Sequence, residues 1–508
     1  MSALLLGIDI GTSSSKAVLT RPDGTVVAQA QVPHTVSLPQ PGWAEHDADR
    51  VWWADVTTLC RQLLPAAEGT VAAVGISGLG PCLLPVDAAG HPLRRAILYG
   101  IDTRATHEID ELTARYGTKE LLLRGGSILT SQAIGPKLAW LNRHEPEVYA
   151  RTDRFHMASS YIVERLTGAY VLDHHSASQC NPLYDLHACA WIPEIAEEIA
   201  PGIRLPHLMW PGEIAGRVSS EAAAVTGIPA GTPVTAGTID AWAEALSAGV
   251  DKPGDCMLMY GTTMFLIEVL DQPKTDPRLW ATRGITPGTY NLAGGMATSG
   301  AVTDWLRKLT GGRFEDLTAE AEHVSPGSHG LVMLPYFAGE RTPLFDPDAR
   351  GAVLGLTLHH NRAHLYRAAL EGTAYAVRHH LEVMAESGVR PSRLIAVGGG
   401  TTADLWTQIV SDVTGCPQEL PDQRIGASYG DALLAARASD LAEETTTWAR
   451  IGRTVQPQPD VLPVYDDLYA VYRDLYEATR TQAHILTAHQ HLADSAGPVA
   501  HHSPASAA

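Results

Sequence analysis

The chain has 508 residues, too many for one ordinary hydrophobic core, so two domains or more are expected. Its composition, 45% hydrophobic and 18% charged, is that of a soluble globular protein, and its net charge of -19 argues against a nucleic-acid partner, which needs a basic face. A small anionic ligand stays allowed, because a few backbone N–H groups at a turn or helix end bind phosphate even on an acidic protein.

The N-terminal run "MSALLLGIDIGT" carries no basic segment ahead of its apolar residues, so no signal peptide is read. From there the pattern alternates as strands do: "LLLGIDIG", then "SKAVLT", then the Asp-Gly turn "RPDGT", then "VVAQAQV". A helix is predicted over "DADRVWWADVTTLCRQLLPA", with Asp47 or Asp49 as its N-cap. "VAAVGISGLG" reads as a buried strand running into a glycine loop. Residues 255–270, "DCMLMYGTTMFLIEVL", repeat the opening design of strand, Gly-Thr turn and strand, with Gly11-Thr12 falling on Gly261-Thr262. "PSRLIAVGGG" is a strand entering a triple glycine. The amphipathic "TTADLWTQIVSDVTG" and the small-residue helix "GASYGDALLAARASD" follow it. This alternation of strands and helices argues for α/β layers. The low-complexity C-terminal residues 488–508 are expected to be disordered.

No apolar stretch approaches the roughly 20 residues needed to span a bilayer, so no membrane partner is expected. The six scattered cysteines form no C-x-x-C pair, which indicates neither a disulfide framework nor a zinc knuckle; a reducing cytoplasm fits best.

Several stretches carry candidate chemistry. Asp9, at a strand end beside a Gly-Thr-Ser turn, is placed to hold a hydrated cation, while the turn reaches phosphate oxygens and Lys16 adds a positive charge. The bland reading of the same residues is a capped β-turn. The Walker A pattern is absent, which disfavours a P-loop ATPase. "YGTTM" (260–264) offers a second phosphate turn, and the triple glycine at 398–400 lets a ring or a phosphate lie against the backbone. Asp240 stands as a lone acid after a run of small residues and before a helix. It suits a helix N-cap, although Ala243 sits where a capping box needs Glu or Gln. Glu340 and Arg341 read as a solvated pair. The run Asp173-His174-His175 is disfavoured as a metal site, because adjacent residues do not face one another on a helix or a strand. No G-x-S-x-G elbow surrounds Ser77.

Together, "GIDIGTSSSKAVL", "GTIDAWAEALSAGV", "YGTTM", "ATSGAVTDWLR", "GAVLGLTLHHNRAHLYRAALEG" and "AVGGGTTADLW" resemble, in this order, the motifs of the FGGY family of carbohydrate kinases. That family belongs to the superfamily of actin, sugar kinases and heat-shock ATPases. The fifth motif matches the family signature at Gly351, Gly355, His364, Leu365, Ala368 and Glu371. The resemblance implies an α/β fold of two ribonuclease-H-like domains with a cleft between them. The N-terminal domain, 1–247, would take the sugar and the C-terminal domain, 248–487, the nucleotide.

It implies ATP and Mg²⁺ as cofactors, with Asp240 as the general base and Asp9 holding Mg²⁺. Gly11, Thr12, Ser13, Lys16, Gly261 and Thr262 would contact the phosphates, and Gly300, Gly399, Gly400 and Thr401 would line the nucleotide. The substrate would be a small sugar or polyol, with a pentulose such as xylulose as the choice, and glycerol, another polyol or a sugar acid as alternatives. A homodimer is compatible with all of this.

The chain departs from the family pattern at three places. Gly78-Leu79-Gly80-Pro81 replaces the Gln-Met-His stretch of the xylulose kinases; Gly78 is nevertheless kept as a sugar-side position. Tyr99 replaces the usual Trp ahead of Asp102 and Arg104, which become the leading sugar-binding candidates. Ala241 follows Asp240 where xylulose kinases often have Asn and glycerol kinases Gln. The rival from another class is an actin- or chaperone-like ATPase switch, which would need no sugar pocket and would leave the 351–371 signature without a role.

Overall fold

Side-chain period decides how the first strands are used. On β1 (Ala3–Ile10), Leu4, Leu6, Ile8 and Ile10 point to one face and Leu5, Gly7 and Asp9 to the other. The computed structural model describes residues 2–66 and 68–495. In it β1 pairs antiparallel with β2 (Ser14–Thr20), which pairs with β3 (Val26–Pro33), as the alternation predicts.

The helix predicted after this meander is capped by Asp47, which accepts from the Arg50 N–H at 3.0 Å. A widened turn over Ala48–Trp53 then leads into α1 (Ala54–Leu63). β4 (Thr70–Gly78) lies parallel to β1. After a helical insertion that includes α2 (Ala158–Thr167), β5 (Ile214–Arg217), β6 (Pro233–Thr235) and the short β7 (Thr238–Ile239) complete a first sheet in the order β5-β6-β4-β1-β2-β3, with β7 also on β4. α3 (Asp240–Ser247) leaves its end.

The second half repeats this plan. β8 (Asp255–Tyr260) and β9 (Met264–Leu270) form the hairpin, and β10 (Trp280–Arg283) and β11 (Tyr290–Met296) extend it. Helices α4 (Gly300–Thr310) and α5 (Arg362–Glu386) follow. β12 (Arg393–Val397) lies parallel to β8, and α6 (Asp404–Thr414) leads to β13 (Gln418–Pro421). α7 (Ala427–Ala438), β14 (Ile451–Val455) and α8 (Leu462–Ser495) close the chain. The sheet order is β10-β11-β9-β8-β12-β13-β14, so the central strands match the first sheet one for one. The faint sequence repeat is therefore a repeat of topology.

The sequence boundary at 247/248 does not describe the packing. α7, from the C-terminal half, lies on β1 and β4 of the first sheet, where a Cβ on Gly7 would fall 1.8 Å from the Ser428 carbonyl oxygen and one on Gly75 2.0 Å from that of Asp431. Reciprocally, Trp242 and Ala245 of α3 join the apolar cluster of Met257, Ile267 and Ile395 on the second sheet. The two helices cross where Gly430 meets the backbone of Ala243. Each half thus lends one helix to the other, which strand and helix periodicity alone could not show.

Two further expectations are corrected. α8 runs to Ser495, past the expected start of disorder at 488, because tertiary contacts anchor it: Thr487 donates to the Asp348 carbonyl at 2.9 Å and His484 pairs with Asp346 at 2.8 Å. The remaining residues of that segment lie outside the described ones. Glu340 and Arg341 are not a solvated surface pair; Glu340 is buried and accepts from the N–H groups of Ala297 and Arg341, and the half-buried Arg341 donates to the Met296 carbonyl.

Candidate active site

A cavity of about 330 Å³ opens between the two sheets where the β1–β2 turn, the start of α3 and the face of the second sheet meet. Asp9, Gly11, Thr12, Ser13, Lys16 and Asp240 all line it, so this part of the expected site comes together from residues more than 220 positions apart. Asp9 and Lys16 are cross-strand partners on the β1–β2 hairpin, which holds the acid and the base side by side.

Asp240 is the first residue of α3, not its cap, and its Oδ1 accepts from the Ala241 N–H at 2.8 Å. Glu244, one helical turn on, lines the same wall. Burial pushes the Asp240 carboxyl up to about 6; the Ala241 N–H opposes the rise, Glu244 adds to it and Lys16 opposes it. Burial, then the charge of Asp240, also raises Asp9 well above the usual carboxylate range, against Lys16. Glu244 is raised by burial and lowered by Lys16. Lys16 is thus the counter-charge that acts on all three acids, and a divalent cation beside Asp9 would relieve the excess.

Among the described residues no group of three or more His, Cys, Asp or Glu side chains is arranged to hold a metal ion. A cation held by Asp9 would therefore take its other ligands from water and phosphate oxygens, which is how Mg²⁺ is ordinarily bound beside phosphates.

The loops expected to hold nucleotide gather on the second sheet. The N–H groups of Ser299 and Gly300 donate to the carbonyls of Thr262 and Gly261, both at 3.0 Å, which locks the start of α4 onto the β8–β9 turn. Gly398, at φ 91°, lies against the backbone of Tyr260, and a Cβ on Gly400 would meet the Trp406 ring at 2.7 Å. Thr401 donates to the Gly398 carbonyl at 2.8 Å. Gly261, Thr262, Gly300, Gly399, Gly400 and Thr401 do not line the cavity, but Thr263 of the same turn does, so their cluster adjoins it.

The sugar side differs from expectation. Gly78 packs against the start of α2, where a Cβ would meet that of Ala158 at 2.8 Å, and it does not line the cavity. Asp102 and Arg104 do not line it either. Their side chains are fully buried and paired at 2.6 Å; Arg104 also reaches Glu45 at 2.9 Å and lies 3.8 Å over the Trp43 ring. Asp102 accepts from the Ala44 N–H at 2.7 Å. The pair braces the loop that carries Tyr99, whose hydroxyl lies 3.0 Å from that of Thr12.

The polar lining is instead supplied by Gln132, Ser178, Gln179, Asn181 and Arg341, and the rings of Trp280 and Phe265 line the same cavity. His175 does not face the cavity as a ligand; its ring tilts against Trp242 at 3.8 Å and its Nε2 lies 3.0 Å from Gln179 Nε2. Glu244 was legible as the i+4 neighbour of Asp240. Gln132, Gln179, Asn181 and Arg341 carried no local pattern that marks a binding wall.

A further buried acid, Asp431 of α7, lies beneath this floor, its carboxyl raised by burial, lowered by Ser77 and raised by Asp9 and Asp240.

Comparison with known proteins agrees with this geometry. Residues 4–247 match the N-terminal domain and residues 256–439 the C-terminal domain of the FGGY family of carbohydrate kinases. The chain is 32% identical to a xylulose kinase of Escherichia coli (86% of this chain, 90% of that one) and 31% identical to a glycerol kinase of Janthinobacterium sp. (90% and 95%). The structure of a xylulose kinase from Rhodospirillum rubrum superposes with a TM-score of 0.87 at 35% identity, covering 95% of this chain and 100% of that one. With the family models spanning both halves and the cleft between them carrying the family's motif residues, the chain belongs to the FGGY family of carbohydrate kinases.

Proposed function

We propose that the protein transfers the γ-phosphate of ATP to a hydroxyl of a small sugar, a pentulose such as xylulose, with Asp240 as general base. The observation that carries this reading is the placement of Asp240, Lys16 and Asp9 around one cavity, beside the glycine loops of the second sheet.

Phosphoryl transfer asks a protein mainly to align donor and acceptor and to neutralise phosphate charge. Asp240 accepts the proton of the attacking hydroxyl; its ionised form is favoured by the Ala241 N–H and by the start of α3. Lys16 and the 11–13 turn receive the transferring phosphate, and the 261–263, 299–301 and 398–402 loops hold the nucleotide. Asp9 holds Mg²⁺, which supplies charge neutralisation when bound. Gln132, Gln179, Asn181 and Arg341 offer hydrogen bonds to the acceptor hydroxyls, with Trp280 and Phe265 against its carbon face. This wall replaces the amide that Ala241 lacks. Closure of the cleft would exclude water and limit hydrolysis of ATP.

The test is ADP release measured over ketoses, aldoses, polyols and sugar acids. A pentulose is expected to give the highest kcat/KM. A glycerol or sugar-acid optimum would change the substrate and keep the chemistry; ADP release indifferent to every acceptor would overturn the kinase reading.

A further inference from the structure

Asp431 stands alone in "ASYGDALLAARA", a helix otherwise built for close packing. Strand register explains where it arrives. Gly7 pairs with Gly75 and Asp9 with Ser77, so these four residues share one sheet face. The two glycines let the backbone of α7 descend onto that face, and the descent delivers Asp431 to Ser77. The Ser77 hydroxyl lies 2.7 Å from Asp431 Oδ2 and 3.3 Å from Asp9 Oδ1, so one buried hydroxyl links the two acids.

Asp431 and Ser77 are fully buried. No Lys, Arg or His pairs with Asp431 among the described residues, and its Oδ1 has no hydrogen-bond partner. A buried carboxyl so placed costs folding free energy that an apolar side chain would not. Its one side-chain partner is the serine that touches Asp9. Stability therefore does not account for the residue, whereas constraint of Asp9 does.

We propose that Asp431 is a positioning residue for Asp9: through Ser77 it fixes the carboxylate assigned above to Mg²⁺, and it does so from the C-terminal half of the chain. The inference rests on that assignment. It also ties the metal carboxylate to the crossing of the two exchanged helices, because the neighbour Gly430 abuts Ala243, three residues beyond Asp240.

The experiment uses the full chain with Mn²⁺ as the probe, titrated in the presence of ADP without acceptor and followed by electron paramagnetic resonance, beside thermal unfolding. Asp431→Ala is expected to weaken Mn²⁺ binding on the order of tenfold, with an unfolding temperature equal to or above that of the wild type. Ser77→Ala should match it, and the double variant should be no weaker than either single one, because both act through the same contact. Asp431→Asn keeps a side chain that hydrogen-bonds Ser77 and should bind Mn²⁺ as the wild type does.

Wild-type Mn²⁺ affinity in Asp431→Ala, together with weakened affinity in Asp9→Asn, would overturn the positioning role alone. So would a lowered unfolding temperature with unchanged Mn²⁺ binding, the mark of a merely structural residue. If Asp9→Asn also leaves Mn²⁺ binding unchanged, the metal assignment falls and this inference falls with it.

Discussion

Asp9 faces Lys16 at the second residue pair from the β1–β2 turn; at the same place on the β8–β9 hairpin stand Met259 and Phe265. The difference continues down the strands, where Gly7 pairs with Gly75 in the first sheet and Met257 with Ile395 in the second. The first face is thin and charged, so that α7 approaches backbone to backbone and leaves an acidic floor. The second face is thick and apolar, and α3 meets it through the indole of Trp242. One topology thus supports two tasks. Both turns carry Gly-Thr, while the carboxylates that would meet Mg²⁺ and the acceptor, together with Lys16, sit on the first half and on the helix leaving it.

Removing the charge that has no counterpart in the second half should have the largest effect. Asp240→Asn is expected to lower kcat by about 10²–10⁴-fold, with ADP affinity near wild type by calorimetry, because the loops proposed to hold the nucleotide lie on the other sheet. Retained turnover would move the base elsewhere.

Arg104→Ala tests whether the buried ion-pair network of the first half is structural. Leaving the buried Asp102 without its cation, with Glu45 still paired to Arg94, should cost about 3–5 kcal/mol in chemical denaturation, while the KM for the acceptor stays near wild type in enzyme that remains folded. A large rise in KM without loss of stability would return Asp102 and Arg104 to the sugar.

The thin face should tolerate bulk least. Gly7→Val should destabilise by about 1–3 kcal/mol or more, against less than about 1.5 kcal/mol for Met257→Leu at the matching position; equal costs would mean that α7 yields as easily as side chains do.

The smallest effect is a pH limb. With Asp240 pushed up to about 6, its ionised, active form is present above that pH and lost below it, so log(kcat/KM) should fall with unit slope as the pH drops through about 6. A limb at the usual carboxylate value of about 4 would show that the cavity leaves Asp240 unperturbed.

Local pattern was enough for much of this molecule. Period-two runs marked β1 to β3 and a buried apolar run marked β4, a Gly-Thr turn repeated at 11 and 261 marked the two halves, and six ordered motifs marked the family together with Asp9, Lys16 and Asp240. These features are set by neighbours along the chain, so a sequence displays them.

The exchange of α3 and α7, the burial of the Arg104 side chain, the placement of Arg341 in the cavity wall, and the polar wall of Gln132, Gln179 and Asn181 were decided by tertiary structure alone. Each depends on partners tens to hundreds of residues away: Glu45 and Trp43 for Arg104, Met296 for Arg341, Ser77 for Asp431. A charged residue looks the same in sequence whether it meets water or a buried partner. Only the packing of two sheets against two exchanged helices shows which it meets.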